Sequence, residues 1–435
     1  MFHIGIDIGT SSICGVLHNP DTGECESLTK DNKAALTSSF QYEKAQDPDM
    51  IFRCVTEILD HFTSLHNEIG GIGLSGQMHG ILYIDREGRA VSPLYTWQDG
   101  RGNCPYTGNQ TYSEYLSDTC GHHVSTGYGL VTHFYNLKNN IVPSGAHKIC
   151  TIMDYVAMRL TNRHTPVTEY SNAAALGFFD KEKLAFDTVA LDKAGIDTGI
   201  LPRTGPSTSS LGQYNGIPVF PAIGDNQAAF LGTVNDRNKA IHVTVGTSSQ
   251  ISVYTPSYVE LEGIDTRPLP GGGYILVGAE LCGGYAFTLL KNFFAETIRF
   301  ICGKEISDED IYAAITSVPS LQSDSPLTVS TLFDGTRQAH DKRGEITGIS
   351  TSNFLPQELV RGFARGISEA LHRYYASLPE EIKEEKTHIV ASGNGMKKNH
   401  LIHEAFLEQF GLPVVFSSSA EEAALGACKV AEGII

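Results

Sequence analysis

The chain has 435 residues, a formal charge of −17, and hydrophobic and charged contents of 41% and 19%. This length exceeds one ordinary core and predicts two or three domains, and the composition is that of a soluble globular protein. The negative charge argues against binding nucleic acid or an anionic membrane through bulk electrostatics, and no apolar run approaches the roughly 18 residues that cross a bilayer.

The N-terminus leads straight into a strand pattern and lacks the basic and apolar regions of a signal peptide. We therefore expect a cytoplasmic enzyme. The nine cysteines include no Cys-x-x-Cys pair. Their spacing supports neither a zinc site nor a disulfide framework, so we expect buried, reduced thiols.

The first third of the chain begins with a β-meander. An apolar strand at Phe2–Ile8 is followed by a turn at Gly9–Ser12 and a returning strand at Ile13–Leu17. Apolar residues at helical spacing in "PDMIFRCVTEILDHFTSLH" predict a helix. The stretch "IGGIGLSGQMHGILYID" then predicts a strand, a loop and a second strand.

The second half of the chain repeats this order. A new meander around residue 246 is followed by the helical stretch "GYAFTLLKNFFAETIRFI", and helices are predicted at Gln357–Leu378 and His400–Phe410. Between them, "THIVASGNGMKKN" is typical of a strand entering a glycine-rich turn. The repetition predicts two α/β domains, residues 1–230 and 231–435.

The sequence GTSS occurs at both meander turns, in Ile4–Leu17 and in Ile241–Tyr254. Glycine permits a tight turn, and small hydroxyl residues leave backbone amides exposed to bind a phosphate. An ordinary hairpin is the alternative interpretation. Only the first copy has an acid, Asp7, two residues before its glycine, where the second has Thr244. An acid beside a phosphate needs a cation between them, so Asp7 indicates Mg²⁺.

A strand also enters a helix at "GDN", residues Gly224–Asn226. The carboxylate of Asp225 could accept a proton from a substrate hydroxyl. Asp is equally a favoured residue for capping the start of a helix, which is the alternative for this position.

Two polar clusters follow apolar strands, at Ser75–Gly80 and Trp97–Arg101. Their Gln, His, Asp and Arg side chains can satisfy many hydroxyl groups, and the single Trp offers an aromatic face to a sugar. Polar surface turns are the alternative, and His79 alone would be a structural histidine.

The stretch Ala391–Asn399 carries glycines that would let the backbone lie flat against a planar base. It does not fit G-x-G-x-x-G, because Lys398 stands at the third glycine position, and the chain contains no G-x-x-x-x-G-K-[ST]. A Rossmann dinucleotide site and a P-loop are therefore both disfavoured.

Taken in order, these stretches resemble the FGGY family of carbohydrate kinases, within the actin, sugar kinase and Hsp70 ATPase superfamily. The resemblance spans nearly the whole chain, and as an ordered set its motifs are highly specific. It is carried by GIDIGTSS, GQMHG, WQDGR, DYVAMRLTN, GDN, VTVGTSS, FDGTRQAHDKRGEITGIS, GNGMKKN and EEAALGA. It implies two ribonuclease-H-like α/β domains around a cleft, with sugar mainly on the first domain and MgATP mainly on the second.

The resemblance also implies residue roles. Asp225 would be the general base, Asp7 would organise Mg²⁺, and Thr10 and Ser11 would approach the transferred phosphate. The sugar would be bound by Gln77, Met78, His79, Trp97, Asp99 and Asn226. ATP would be bound by Gly246, Thr247, Gly283, Gly284, Gly393, Asn394, Gly395 and Asn399.

The implied activity is phosphorylation of a terminal hydroxyl of a ketose. GQMHG with Asp-Gly-Arg is shared by family members acting on xylulose and on sedoheptulose, whereas "TWQDGR" and "TGYGLVTHF" look more like the latter. Sedoheptulose is thus expected as the substrate, with xylulose or another sugar as alternatives, and a homodimer is the expected assembly.

There are two rival functions. One is a sugar sensor without activity, and the presence of both Asp7 and Asp225 argues against it. The other is an actin-like or chaperone-like ATPase, and the residues of the sugar loops argue against that.

Overall fold

The computed structural model describes residues 1–66, 68–336, 341–417, 419 and 421–433. The motif stretch 333–350 is thus described except for residues 337–340, which lie outside the described residues. The chain forms two compact units. The first contains Met1–Asn235, Arg267–Tyr274 and Ser419–Ile435, and the second contains Asp236–Thr266 and Ile275–Ser418.

This division differs from the expected domains 1–230 and 231–435, because the C-terminal residues return to the first unit. The last helix packs on the first sheet and on the helix that begins at Asp225. Its apolar face, which includes Ala424, Ala427 and Cys428, is buried there. Packing of that face, rather than chain order, decides to which unit the segment belongs.

Fourteen α-helices lie in the described part of the chain. They are α1 Pro48–Leu65, α2 Tyr112–Cys120, α3 Gly129–Lys138, α4 Ile152–Leu160, α5 Tyr170–Leu176, α6 Thr188–Ala194, α7 Asp225–Thr233, α8 Tyr285–Cys302, α9 Asp308–Thr316, α10 Pro356–Ala376, α11 Glu380–Lys383, α12 Asn394–Lys398, α13 His400–Phe410 and α14 Glu422–Glu432. None of these described helices combines the length and the apolar character that crossing a bilayer requires.

The strands of the first unit are β1 Phe2–Ile8, β2 Ser12–His18, β3 Cys25–Asp31, β4 Ala35–Leu36, β5 Ala45–Gln46, β6 Ile69–Gly76, β7 Leu82–Ile84, β8 Leu94–Tyr95, β9 Pro105–Thr107, β10 Gln110–Thr111, β11 Lys148–Cys150, β12 Val167–Glu169, β13 Phe179–Asp180, β14 Ala185–Phe186, β15 Arg203–Gly205, β16 Gly212–Tyr214, β17 Ile217–Val219 and β18 Ile223–Gly224. The main sheet has the order β16-β17-β6-β1-β2-β3, with β18 also on β6. β1, β2 and β3 are antiparallel, whereas β6 runs parallel to β1.

The second sheet follows the same plan. Its strands, with a separate hairpin, are β19 Ala240–Val245, β20 Ser249–Thr255, β21 Asp265–Pro268, β22 Tyr274–Glu280, β23 Thr328–Ser330, β24 Glu345–Thr347, β25 His388–Ser392 and β26 Val414–Phe416. The sheet order is β21-β22-β20-β19-β25-β26. β19 and β20 form an antiparallel hairpin, and β25 runs parallel to β19 as β6 does to β1. The predicted α/β class, with one repeated architecture, is what the structure contains.

Each unit has its own apolar core. In the first, the buried face of α1 packs on the sheet, and Pro48 and the capping carboxylate of Asp47 fix where that helix begins. In the second, α10 and α13 pack on one another and on the strands, around buried residues such as Phe363 and Phe406. The turns that follow β1 and β19 lie at the ends of interior strands of the two sheets.

Backbone-to-backbone contact holds α14 in the first unit. A Cβ at Gly73 would lie 1.8 Å from the carbonyl oxygen of Ala427, and a Cβ at Gly426 would lie 1.8 Å from that of Ala228. Gly5 and Gly232 face α14 in the same way. Only glycine permits such an approach between a helix and its neighbours, so β1, β6, α7 and α14 form one tightly packed group.

We predict that Gly426→Ala destabilises the first unit, because the added methyl group must separate α14 from α7. Overpacking of this kind costs about 1–3 kcal/mol, and more where backbone is in the way. Thermal unfolding of the purified variant measures the loss. Gly145→Ala is the matched control, because its Cβ would approach only one side-chain atom, 3.8 Å away, and an equal loss there would contradict the packing argument.

Candidate active site

The first GTSS turn joins β1 to β2 and fixes a network of polar side chains. The hydroxyl of Thr10 donates to Gln77 Oε1 at 3.2 Å and accepts from Trp97 Nε1 at 3.0 Å. Gln77 in turn donates to Gln46 Oε1 at 2.9 Å, and Gln46 donates to the carbonyl of Thr10 at 2.8 Å. The predicted phosphate and sugar residues Thr10, Gln77 and Trp97 therefore lie together, while Ser11 is exposed beside them.

Trp97 presents an open aromatic face at this network. Its side chain is 47% exposed although its indole nitrogen is fixed on Thr10. A fixed but exposed ring suits stacking on the C–H surface of a sugar, because the ring need not be ordered on binding.

Asp7 lies near the end of β1 and is held by the parallel strand beside it. The hydroxyl of Ser75, its register partner on β6, donates to Asp7 Oδ1 at 2.7 Å. Burial raises the pKa of Asp7, the hydrogen bond from Ser75 opposes that rise, and the negative charge of Glu421 adds to it. A bound cation would stabilise a carboxylate in this position.

Asp225 is the first residue of α7. Gly224 is the N-cap of this fully described helix, which has no side-chain capping hydrogen bond, so the capping alternative does not describe Asp225. Burial raises the pKa of Asp225 to about 7, and the charge of Asp7 adds to the effect, while Arg267 and the backbone of Asn226 oppose it. A carboxyl group with this pKa can accept a proton near neutral pH.

Asn226 is positioned by Arg267, a residue that the sequence reasoning did not identify. The guanidinium donates to Asn226 Oδ1 at 3.0 Å. Arg267 thereby brings a positive charge close to Asp225, and that charge lowers the carboxyl pKa. No local motif marks Arg267, because it lies 41 positions after Asn226 in a different element.

Asp99, predicted to bind the sugar, forms a buried ion pair with Arg101. It is completely buried, and its carboxylate accepts from the Arg101 side chain at 2.6 and 3.0 Å and from the Lys44 backbone at 3.1 Å. Arg101 is itself 1% exposed and stacks over the ring of Tyr95 at 4.0 Å. The ion pair fixes the Trp97–Arg101 loop, so direct sugar contact by Asp99 is not what this geometry favours.

The "GQMHG" loop contributes Met78 and His79. Met78 is buried, and its sulfur would lie 2.6 Å from a Cβ at Gly224, so it packs directly beneath the start of α7. His79 Nδ1 lies 2.7 Å from the carbonyl oxygen of Ala175, and its ring stacks on Tyr128 with centroids 4.6 Å apart. The φ of His79 is 73°, a conformation that costs energy for a residue with a side chain and places the ring against Tyr128.

The "TGYGLVTHF" stretch packs against the Trp97 loop. Thr126 Oγ1 donates to the carbonyl of Asp99 at 3.1 Å, and a Cβ at Gly127 would lie only 2.0 Å from the carbonyl oxygen of Trp97. The three stretches that carried the sugar prediction, around residues 77, 97 and 127, therefore form one continuous set of loops in the first unit.

The second unit brings three glycine-rich segments together. Gly246 accepts from the amide of Gly284 at 2.7 Å, and Thr247 accepts from that of Gly283 at 2.8 Å. A Cβ at Gly393, whose φ is 84°, would lie 2.5 Å from the carbonyl oxygen of Val245, and one at Gly395 would lie 2.8 Å from it. These predicted ATP residues therefore pack backbone to backbone, next to the exposed residues Thr247 and Asn394.

Asn399 has a structural task within that unit. Its side chain caps α13 by accepting from the amide of Leu401 at 3.1 Å, and the residue is 8% exposed. Its contact with a nucleotide stays a prediction.

The two GTSS turns occupy equivalent register positions. Thr244 pairs with Ser392 on the parallel strand, as Asp7 pairs with Ser75. The hydroxyl oxygens of Thr244 and Ser392 are 2.8 Å apart. His242 lies beneath them, 3.2 Å from Ser392, and burial lowers its pKa to about 4. The second site is thus neutral at the position where the first carries a carboxylate, which favours phosphate over metal there.

Comparison with known proteins gives a consistent match. Residues 2–232, more than half of the chain, match the N-terminal domain of the FGGY family of carbohydrate kinases. Sedoheptulokinase from Mus musculus is 28% identical over 98% of this chain and 96% of that protein. Xylulose kinase from Lactococcus lactis is 26% identical over 98% of this chain and 87% of that protein.

Solved structures support the same fold. The crystal structure of xylulose kinase from Rhodospirillum rubrum aligns over 99% of this chain and 89% of that chain, with a TM-score of 0.83 and 19% identity. The predicted fold, two domains of the actin-like ATPase type, is confirmed by this likeness.

We predict that Asp225→Asn stabilises the protein at pH 8. A folded-state pKa of about 7, above the ordinary value of 3.8, means that the ionised carboxylate destabilises the fold. This penalty is fully present above pH 7 and disappears as the pH falls from 7 towards 4. Thermal unfolding at pH 8 should show a higher Tm for the variant than for the wild type, by about 2–4 °C for each kcal/mol gained in the free energy of unfolding. At pH 5 the difference in Tm between the two proteins should be smaller.

Asp192→Asn is the control for this measurement, since it removes an exposed carboxylate from α6. Its Tm should follow the wild type at both pH values. A Tm for Asp225→Asn that is the same as or lower than the wild type at pH 8 would contradict the burial argument.

Proposed function

The chain belongs to the FGGY family of carbohydrate kinases, and we propose that it transfers the γ-phosphate of ATP to the terminal hydroxyl of the ketose sedoheptulose. Sugar kinase activity follows from the family match and from relatives that align along nearly the whole chain. The identity of the sugar rests on the sedoheptulokinase likeness and on the loop stretches around Trp97 and Gly127.

The observation that carries this proposal is the carboxyl of Asp225, with a pKa of about 7 beside Asp7 and the Asn226–Arg267 pair. A sugar sensor or a mechanical ATPase has no need of a group that accepts a proton from a sugar hydroxyl. A kinase needs one, because the attacking hydroxyl must lose its proton as it bonds to phosphorus.

In the proposed reaction the sugar hydroxyl oxygen forms a bond to the γ-phosphorus, and the bond from that phosphorus to the bridging oxygen of ADP breaks. Asp225 takes the hydroxyl proton. Asn226, fixed by Arg267, and the Thr10–Gln77–Gln46 network hold the acceptor in place. Positioning of this kind supplies much of the rate acceleration in phosphoryl transfer.

The residues present fit a magnesium ion in the first unit. Asp7 and Asp225 are close enough for the charge of Asp7 to raise the pKa of Asp225, and a cation would relieve that repulsion. Asp7 would hold Mg²⁺ together with water, as hard oxygen ligands do. When bound, the ion neutralises charge on the phosphate oxygens.

The second unit fits the nucleotide. A Cβ at Gly283, Gly284, Gly393 or Gly395 would fall within 2.4–2.8 Å of backbone, so only glycines let these segments lie against one another beside the Gly246–Thr247 turn. The amide of Gly246 already donates to the carbonyl of Ser248 at 2.9 Å, so the amide of Thr247 is the one that would bind a phosphate oxygen. The neutral Thr244–Ser392 pair beneath the turn introduces no repulsion.

For the sugar, Trp97 supplies the stacking face and Gln77 and Asn226 supply hydrogen-bonding groups. His79 and Tyr128 are stacked on one another in the same set of loops. Asp99 is proposed to hold the Trp97–Arg101 loop in place through its ion pair with Arg101. Direct contact of Asp99 with the sugar stays a prediction. A homodimer and a cytoplasmic location also stay predictions.

The proposal is tested by ADP release in a coupled assay with MgATP and a series of acceptors. We expect rapid release with sedoheptulose and at least about tenfold lower kcat/KM with xylulose, ribulose, fructose, gluconate and glycerol. A preference for xylulose or gluconate would overturn the assignment of sedoheptulose as the substrate but would agree with sugar kinase activity. ADP release in the absence of any acceptor would instead overturn the sugar kinase proposal. So would a failure to release ADP with every acceptor in the series.

We predict that Asp225→Asn lowers kcat by about 10²–10⁴-fold, the usual contribution of a general base, while sugar binding persists. Binding is followed by thermal shift, where ligand at 100 times its Kd should add about 2.7 kcal/mol. Asp192→Asn should keep wild-type turnover. If Asp225→Asn has a near-normal kcat, Asp225 is not the general base.

A further inference from the structure

A cluster of metal-ligating side chains lies in the first unit where β2 ends beside α14. His18 Nδ1, Cys428 Sγ and a carboxylate oxygen of Glu432 lie within 4.8 Å of one another. His18 Nδ1 is 2.6 Å from Glu432 Oε1, and Cys428 Sγ is 3.4 Å from the same oxygen. None of these residues has a part in the proposed phosphoryl transfer.

The local folds place these groups on one surface. Cys428 and Glu432 are four residues apart on α14, so they share a helix face. His18 ends β2 and lies directly opposite His3 on β1 and Cys25 on β3. Directly opposed residues of antiparallel strands project to the same face, so His3 and Cys25 extend the row.

Two buried polar atoms in this cluster lack partners. Glu432 Oε2 and His3 Nδ1 make no hydrogen bond to any described residue, and the side chain of Glu432 is only 1% exposed. The contact between His18 and Glu432 accounts for one carboxylate oxygen and leaves the other buried with no hydrogen bond to a described residue, which is costly. A cation held by the cluster would satisfy that second oxygen.

We propose that His18, Cys428 and Glu432 bind a zinc ion, with Cys25 or water available as the fourth ligand. The set of one imidazole nitrogen, one thiolate and one carboxylate is typical of borderline metals, whereas Mg²⁺ and Ca²⁺ prefer oxygen alone. The site is separate from the Asp7–Asp225 carboxylates and is structural rather than catalytic.

Zinc binding requires one small rearrangement. Zinc–ligand bonds of about 2.0–2.3 Å place tetrahedral ligands about 3.5 Å apart, so the 2.6 Å contact between His18 and Glu432 must open. Rotation of the Glu432 carboxylate exchanges that hydrogen bond for a bond to the metal. The Cys428 thiol, whose pKa is raised by burial and by Glu432, gives up its proton to solvent when the metal supplies the compensating charge.

The first test measures retained metal in the purified full-length chain. The protein is stripped with a chelator, equilibrated with zinc chloride, desalted and analysed by elemental mass spectrometry. We expect about one zinc per chain, falling at least about tenfold in His18→Asn and in Cys428→Ser. The matched controls His164→Asn and Cys150→Ser alter an exposed histidine and a buried thiol away from the cluster and should keep the metal.

The second test replaces zinc by Co²⁺. A cobalt–thiolate bond produces a strong near-ultraviolet absorption, which should appear in the wild type and in Cys150→Ser and be lost in Cys428→Ser. Glu432→Gln keeps the shape of the side chain, so it tests the carboxylate should Cys428→Ser fail to fold. Stoichiometric zinc should also raise the Tm of the wild type but not of Glu432→Gln.

The proposal is overturned if the stripped wild type retains no zinc after desalting, or if His18→Asn and Glu432→Gln retain as much as the controls. In either case the cluster is a hydrogen-bonded His18–Glu432 pair with a neighbouring thiol. Turnover with MgATP is measured separately, so failure of the zinc site leaves the kinase proposal untouched, and loss of kinase activity does not bear on the zinc.

Discussion

The first unit depends on the close packing of one helix. α14 approaches β1, β6 and α7 so closely that four glycines, two on the strands and one on each helix, have no room for a Cβ. β1 carries Asp7 and α7 begins with Asp225, so this packing determines how near the two carboxylates stand. Burial raises the pKa of Asp225, and the charge of Asp7 adds to that rise. Gly5 lies two residues before Asp7 on β1, so the contact with α14 is made on the face of the strand that also carries Asp7.

Around these carboxylates the polar side chains are held by one another. Thr10, Gln77 and Gln46 form a closed set of hydrogen bonds to which Trp97 is attached, and Asp99 with Arg101 fixes the loop from below. Groups that are already oriented lose little entropy when a ligand binds, which is how a polyhydroxylated substrate is held firmly. In the second unit the three glycine segments pack backbone to backbone, and the neutral Thr244–Ser392 pair stands where the first unit has the Asp7–Ser75 pair.

Much of this could be predicted from the sequence where the signal is local. The strand at Phe2–Ile8 and the helix at His400–Phe410 were predicted with the bounds that the structure has, and the α/β class and the repeated turns followed from periodicity and the paired GTSS. Predicted site residues of the first unit, such as Thr10 and Gln77, lie together. Such features depend on residues close in the chain, where pattern and turn chemistry suffice.

What the sequence did not predict depends on residues far apart. Nothing near Gln46 or Arg267 marks them as neighbours of Gln77 and Asn226. Asp99 was expected to face a ligand, and only the fold reveals that Arg101 occupies its carboxylate. Cysteine spacing gave no sign of a metal site because the proposed ligands His18 and Cys428 come from opposite ends of the chain. The same separation hid the return of α14 to the first unit.

That return has a consequence for synthesis on the ribosome. The glycine-lined surfaces of β1 and β6 are translated first, but the helix that covers them is translated after the whole second unit. At about 5–20 residues per second, the chain between residues 235 and 419 takes roughly 10–40 s to make. During that time the surfaces of β1 and β6 that contact α14 are uncovered in the nascent first unit. The second unit is continuous in sequence except for Arg267–Tyr274. It is therefore able to complete its core before the first unit does.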